Sequence, residues 1–161
     1  MTELQKVLES KMKIRFHDCD PFNHLNNSRY IDYIMTARTD QLADCYDFDI
    51  YRIAREQGVG WVSVETQITY LRPAFLAEEV AIQTQLLFMA EKSLLFEAQM
   101  WDADKKQLKA ILWGKLVHVN LTTQKSHEHS PEMMQFFAKV VNPLPGKMNF
   151  DERVKSLKIS L

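Results

Sequence analysis

Cysteine, glycine and proline are all scarce in this chain of 161 residues, which has 2 cysteines, 4 glycines and 5 prolines. The two cysteines, Cys19 and Cys45, form no CxxC motif and give no disulfide framework, so a reducing cytoplasm is expected. Low glycine and proline content, together with 46% hydrophobic residues, argues against fibrous and disordered chains and favours a compact fold.

The chain also lacks an excess of either charge, since its formal net charge is -1. Acidic and basic residues are interspersed, so the electrostatics give no reason to expect a nucleic acid or an anionic membrane as partner. No apolar run approaches the length of a membrane span, and the polar N-terminus has no signal-peptide core. We therefore expect a cytoplasmic protein that binds neither nucleic acid nor membrane.

Period-two alternation of apolar and polar residues is the main structural signal that is present. It predicts a half-buried strand over 12–17 and four long strands between residues 60 and 121, the last of them apolar on both faces like a central or interface strand. A helix over about 28–43 is too apolar for a surface position. This order predicts an α+β fold in which an antiparallel sheet of about five strands wraps around one long central helix.

The domain prediction follows from the same patterns. We expect one domain over residues 1–161, with its core at about 12–140 and a C-terminal tail at about 141–161. Residues 1–11 have the composition of a polar lead-in, and 131–140 that of a short helix.

The segment DCDPFNHLNN at residues 18–27 concentrates polar chemistry between the predicted first strand and the helix. A helix N-terminus carries partial positive charge and unpaired N–H groups, which can stabilise negative charge on a carbonyl oxygen. If the strand stays regular, Asp18 and Asp20 share a face with Ile14 and Phe16. Partial desolvation on that face would strengthen Asp20 as a general base.

Most of these residues also have purely structural interpretations. Asp20 could start the turn at Pro21, Asn23 suits a left-handed turn position, and Asn26 or Asn27 suits the helix N-cap. Asp18 is expected to pair with Arg15, Arg38 or a backbone donor. Cys19 lies between two carboxylates, which disfavour a thiolate, and His127-Glu128-His129 is typical of an exposed loop.

Residues 18–30 resemble the signature Asp-x-Asp-x-x-Gly-His-Val-Asn-Asn-x-x-Tyr of the 4-hydroxybenzoyl-CoA thioesterase-like family of hotdog-fold acyl-CoA thioesterases. The likeness continues through Tyr33, Ala37 and Arg38 and returns at the YLRPA of residues 70–74. The segment is also similar to plant acyl-ACP thioesterases. The resemblance implies a hotdog fold and hydrolysis of acyl-CoA or acyl-ACP thioesters to free acid and thiol, with no cofactor and no metal.

The resemblance also implies roles for individual residues. Asp20 would be the nucleophile or general base, and His24 and Asn23 would help to polarise the thioester carbonyl. The residues implied in substrate binding are Asn26, Asn27, Tyr30 and Arg29. Two sheets would pair edge to edge in a homodimer, or in a homotetramer made of two dimers, with the active sites at the dimer interface.

The chain departs from the family pattern at two places. Asn23 replaces the glycine before the histidine. Met35-Thr36 stand where relatives often carry a glutamate, so a carboxylate on the helix is not expected to take part in catalysis. An acyl-thioester hydratase or dehydratase on the same fold is one alternative function. A non-catalytic acyl-thioester-binding protein is another.

Overall fold

A five-stranded antiparallel sheet and four α-helices make up most of the computed structural model, which describes residues 2–161. The elements in chain order are β1 (Val7–Lys13), α1 (Tyr30–Tyr46), α2 (Ile50–Gln57), β2 (Val59–Tyr70), β3 (Glu79–Met89), β4 (Ser93–Asp102), β5 (Leu108–Asn120), α3 (Pro131–Val140) and α4 (Phe150–Ile159). Two short 3₁₀ turns, Phe16–Asp18 and Asn27–Arg29, lie between β1 and α1. Among residues 2–161, no helix combines the length and apolar character that crossing a membrane requires.

The strand order across the sheet is β1-β3-β4-β5-β2, and every neighbouring pair is antiparallel. The four strands predicted after residue 60 are confirmed. The strand that is apolar on both faces is β5, which lies between β4 and β2 with both faces covered. The edge strands are β1 and β2.

The helix α1 packs on the sheet and buries Tyr30, Tyr33, Ile34 and Ala37 in the main core. It ends where Asp47 adopts a left-handed conformation, with φ 54°, and its N–H bonds to carbonyls of the last turn. The predicted side-chain cap is wrong. The 3₁₀ turn precedes α1, and neither its N-cap residue Asn26 nor the α1 N-cap residue Arg29 makes a capping side-chain hydrogen bond.

The first strand lies earlier than predicted. Strand β1 pairs with β3 from Val7 opposite Gln85 to Lys13 opposite Glu79, so residues 7–11 of the predicted polar lead-in are part of the sheet. After Lys13, the N–H of Ile14 still bonds to the carbonyl of Glu78, and the chain then turns into the 3₁₀ segment that contains Phe16. Phe16 is 80% exposed, so the expected apolar face shared by Phe16, Asp18 and Asp20 does not form.

The C-terminal tail is more ordered than the sequence suggests, because it contains α4. Asn149 and Glu152 form a capping box at its start. Phe150 and Val154 then pack on Trp113 of β5, on the sheet face opposite α1. The predicted helix at 131–140 is confirmed as α3.

An ion pair anchors α4 to the sheet. The Arg153 guanidinium donates to both oxygens of the buried Glu97 carboxylate, at 2.8 and 2.9 Å. Burial raises the pKa of Glu97, but the bonds from Arg153 and Trp113 outweigh it, and the net effect is a lowered pKa. The carboxylate therefore stays ionised and holds α4 in place.

Candidate active site

An open cleft lies where the end of β2 meets the start of α1. Its volume is about 240 Å³. Its lining residues come from two segments, 20–30 and 70–73, and they are Asp20, His24, Leu25, Asn27, Tyr30, Tyr70, Leu71, Arg72 and Pro73. The cleft therefore brings the polar segment of residues 18–27 next to the Tyr-Leu-Arg-Pro sequence after β2.

Backbone donors hold the Asp20 carboxylate in place. Its Oδ1 accepts hydrogen bonds from the N–H groups of Phe22 at 2.8 Å and His24 at 3.0 Å. Asn23 closes this turn with φ 62°, as its side chain permits. Among residues 2–161, no donor bonds to Oδ2, so one carboxylate oxygen is oriented and the other is free to react.

His24 is fixed by its backbone and not by a hydrogen bond to its ring. It forms a β-bridge with Phe75, and its ring packs edge-on against the Phe75 ring with 5.1 Å between centroids. The imidazole is half-buried and borders the cleft, so both ring nitrogens are available for a ligand.

Two tyrosines form the wall of the cleft beside the helix. Tyr30 accepts a hydrogen bond from the N–H of Ala74, and Tyr70 donates one to the carbonyl of Asn27. Their ring centroids are 5.0 Å apart. Burial raises the pKa of both phenols, so both are neutral hydrogen-bonding groups at physiological pH.

The Asp18 carboxylate has partners other than the expected Arg15, Arg38 or backbone donor. Its carboxylate accepts a 2.7 Å hydrogen bond from the Tyr33 hydroxyl and lies 3.7 Å from Arg29 Nε. Arg15 reaches this group only indirectly, through its backbone N–H to the Tyr33 hydroxyl. Arg38 is buried elsewhere, bonded to Thr84, so the expected pairing of Asp18 with either arginine side chain is wrong.

The structure brings together four of the seven predicted site residues: Asp20, His24, Asn27 and Tyr30 line the cleft. Asn23, Asn26 and Arg29 do not line it, and Arg29 is engaged with Asp18 and Asp32. The cleft residues without a predicted role are Leu25 and residues 70–73. The family likeness at 70–74 pointed to the segment of residues 70–73. The sequence predicted no role for it, because these residues meet the start of α1 only in the folded chain.

Two further expectations concern cysteine and histidine. Burial, with the carboxylates of Asp18 and Asp20 nearby, raises the pKa of the Cys19 thiol, which agrees with the expectation that it is a poor nucleophile. The exposed-loop interpretation of residues 127–129 is wrong for His129, which is 6% exposed. Its Nε2 accepts a hydrogen bond from the Trp61 indole, so His129 is a structural residue.

Comparisons with known proteins agree with this architecture. The model of the thioesterase-like superfamily matches residues 14–137. The long-chain acyl-CoA thioesterase FadM of Escherichia coli is 26% identical over 134 residues, which are 83% of this chain and 99% of FadM. The solved structure of YbaW, a probable thioesterase from Escherichia coli, has TM-score 0.71 and 26% identity and covers 84% of this chain and 99% of that one.

More distant structures share the fold alone. A DHNA-CoA thioesterase from Staphylococcus aureus matches with TM-score 0.75 at 13% identity, covering 96% of this chain and 94% of that one. The sheet order, the central helix and these matches confirm the hotdog fold. The family match spans most of the chain and includes the whole cleft. The chain therefore belongs to the thioesterase-like superfamily and is a hotdog-fold thioester hydrolase.

Proposed function

We propose that the protein hydrolyses acyl-CoA thioesters in the cleft at the start of α1, with Asp20 as nucleophile or general base. The observation that carries this proposal is the Asp20 carboxylate, with one oxygen held by two backbone N–H groups and the other unbonded. A reactive carboxylate must be both oriented and accessible, and this geometry provides both.

The start of α1 supplies the electrostatic part of the mechanism. The first N–H groups of a helix have no partner within the helix, and they concentrate positive potential where the thioester oxygen would become negative. One donor of this kind contributes about 3 kcal/mol to transition-state stabilisation. His24, on the same wall of the cleft, would polarise the carbonyl or orient water.

Two chemical routes use the same residues. Asp20 either attacks the thioester carbon and forms an acyl-enzyme anhydride, which water then hydrolyses, or it removes a proton from an attacking water. Either route expels the thiol and leaves a free acid. The exposed Arg72 is the one permanently cationic side chain among the cleft-lining residues, so it is suited to the anionic part of the carrier.

We also propose that two copies of the chain pair through the β2 edge. This strand has a neighbour, β5, on one side only, and Val62 and Val64 on it are 43% and 53% exposed. An unpaired edge with apolar side chains favours association with a second strand. Since Tyr70 at the end of β2 lines the cleft, a partner strand on this edge would lie beside the site.

A panel of acyl-CoAs tests the enzymatic proposal, with release of free thiol as the measurement. The panel includes saturated chains of several lengths, aromatic acyl groups and one acyl-ACP. We expect thiol release from saturated acyl-CoA, which cannot undergo hydration. Intact saturated thioesters, with interconversion of 2-enoyl and 3-hydroxyacyl thioesters, would show a hydratase instead.

Light scattering at micromolar concentration tests the assembly. We expect the mass of a dimer, or of a tetramer made of two dimers. A monomeric mass would contradict pairing through β2.

A further inference from the structure

A second cavity lies at the opposite half of α1, separate from the cleft. Its volume is about 90 Å³, well above the roughly 10–15 Å³ that one water molecule requires. It is bounded by the second half of α1, the inner face of the sheet, the start of α2 and the inner face of α3. It shares no lining residue with the cleft.

The wall of this cavity is largely apolar and aromatic. Phe48, Trp61, Phe136 and Phe137 form an aromatic cluster at one side, with Phe48 and Phe136 stacked 5.1 Å apart. Leucine side chains of β1, α1, β3, β4 and β5 line much of the rest. Such a surface is suited to an aliphatic or aromatic body and not to a polar ligand.

The polar residues of the lining are Lys6, Arg38, Thr39, Thr84 and Gln85, and Arg38 is the buried cation among them. It faces this cavity, is 8% exposed, and makes one side-chain hydrogen bond, from Nη1 to Thr84 Oγ1 at 3.1 Å. Its guanidinium also stacks on the Phe96 ring, with 4.7 Å from Cζ to the ring centroid. Burial lowers the pKa of Arg38 to about 10, which still leaves the side chain cationic at physiological pH.

The protein offers Arg38 no counterion. No carboxylate within residues 2–161 lies within 4.0 Å of its guanidinium, and the cavity lining contains Lys6 but no Asp or Glu. A buried cation without a paired anion is unfavourable, because the low-dielectric surroundings replace its hydration. A bound anion would remove that penalty.

The neighbours of Arg38 orient it for such a role. Thr84 Oγ1 accepts from Arg38 and donates to Gln41 Oε1, and Gln41 in turn donates to Ser10 Oγ and the Ile82 carbonyl. The threonine hydroxyl thereby uses its one donor and one of its two acceptor positions. The guanidinium is therefore fixed in position while most of its N–H groups have no protein acceptor.

We propose that this cavity binds an amphiphilic carboxylate, such as a free fatty acid, with its carboxylate on Arg38 and its chain against the apolar wall. Arginine pairs with carboxylates through two parallel hydrogen bonds, and the rest of the cavity suits an alkyl chain. Arg38 lies two helical turns beyond Tyr30, about 12 Å along the helix axis. The site is therefore distinct from the cleft, and its occupancy does not require thioester hydrolysis.

Calorimetric binding of three ligands with the same chain length tests the proposal: laurate, dodecanol and dodecyltrimethylammonium. We expect wild-type protein to bind laurate at least about tenfold more tightly than either of the other two. Arg38→Gln keeps a donor for Thr84 but removes the charge, and it should weaken laurate binding by at least about tenfold without weakening dodecanol binding. Arg55→Gln, at an exposed arginine of α2, is the matched control and should bind laurate like wild type.

Several outcomes would overturn the proposal. They are the absence of laurate binding by wild type, equal binding of laurate and dodecanol, and laurate affinity that is unchanged in Arg38→Gln. Laurate should also bind to Asp20→Asn as it does to wild type, since Asp20 does not line this cavity. Tighter laurate binding by that variant, in which a like charge is removed from the cleft, would place the ligand in the cleft and contradict a separate site.

A measurement on wild type alone covers the case in which Arg38→Gln does not fold. Laurate labelled with ¹³C at the carboxyl carbon is titrated by NMR, free and bound. Pairing with a cation should make the bound carboxyl titrate at lower pH than the free one, and titration at an equal or higher pH would overturn the proposal. The hydrolysis proposal is tested by thiol release from acyl-CoA, and the carboxylate-binding proposal is tested by calorimetry and NMR. Because the measurements are independent, one proposal can fail without the other.

Discussion

The start and the middle of α1 place their charged groups in different surroundings. At the start, Asp18 and Asp20 are bonded to a tyrosine hydroxyl and to backbone N–H groups beside an open cleft. At the middle of the helix, Arg38 is buried with one side-chain hydrogen bond. The cleft is open to solvent, whereas Arg38 is 8% exposed and has no carboxylate beside it within residues 2–161. One helix thus carries a site suited to reaction and a site suited to binding.

The largest expected effect is loss of turnover in Asp20→Asn. The amide oxygen can accept the same bonds from Phe22 and His24, so the turn should remain, but the negative charge and the basicity are lost. We expect acyl-CoA turnover to fall by at least about a hundredfold, as measured by thiol release. Asp32→Asn, at an exposed carboxylate in the first turn of α1, should leave turnover near the wild-type value. Normal thiol release by Asp20→Asn would remove Asp20 from the mechanism.

The next largest effect concerns the sheet beneath Arg38. Gly114 of β5 lies opposite Phe96 of β4, and a Cβ at Gly114 would be 2.3 Å from Phe96 Cε1. Gly114→Ala must therefore displace the ring on which Arg38 stacks, and we expect it to lower the free energy of unfolding by about 1–3 kcal/mol in urea denaturation. Gly60→Ala is the control, since its Cβ would meet only a flexible leucine side chain at 3.4 Å. Equal stability of Gly114→Ala and wild type would contradict this account of the packing.

Removing the Tyr33 hydroxyl tests whether its hydrogen bonds to Asp18 and Arg15 stabilise the protein. That hydroxyl donates to Asp18 and accepts from the N–H of Arg15, so Tyr33→Phe loses two hydrogen bonds without a large change in volume. We expect the free energy of unfolding to fall by about 1–2 kcal/mol. Tyr51 is 63% exposed, so Tyr51→Phe should have no measurable effect. If both variants unfold at the same urea concentration, the Tyr33 bonds contribute nothing to stability.

The smallest expected effect is a pH dependence of stability from the histidines behind the second cavity. Burial lowers the pKa of both His118 and His129, and His118 Nε2 is buried without a partner among the described residues. The unfolded chain therefore binds more protons near its ordinary histidine pKa, about 6.5. Stability should be greatest above that pH and should fall as the pH drops below it.

Melting temperatures at pH 7.5 and 5.5 would measure this effect. We expect His118→Asn to reduce the difference between the two values, because the asparagine cannot take up a proton. His17→Gln should leave the difference unchanged, since His17 is exposed. A wild-type melting temperature that rises on acidification would contradict the expected sign.

Sequence reasoning succeeded where the signal is local. Period-two alternation of apolar and polar residues located β2, β3 and β4, and apolar character on both faces located β5. Burial explains the signal in β3, β4 and β5, which have many buried residues, whereas most of β2 is exposed in the single chain. The turn at Asn23 followed from the rare ability of asparagine to adopt positive φ, which the structure confirms.

The misplaced strand β1 shows where local reasoning fails. Its residues alternate only weakly, because it is an edge strand with Leu8 as its one buried side chain. What makes it a strand is pairing with β3, about 70 residues further along the chain. The helix α4 was missed for a related reason, since Phe150 and Val154 form a core face only against Trp113.

The sequence by itself determined the hotdog architecture and the polar segment at the start of α1, because periodicity, turn chemistry and a short signature are properties of neighbouring residues. Only the tertiary structure decided which of the predicted residues line the cleft, since Tyr70 and Arg72 reach it from a distant strand. It also decided that Arg38 is a buried cation above Phe96 and not a partner of Asp18. Burial and counterions depend on contacts between distant segments, which no local pattern encodes.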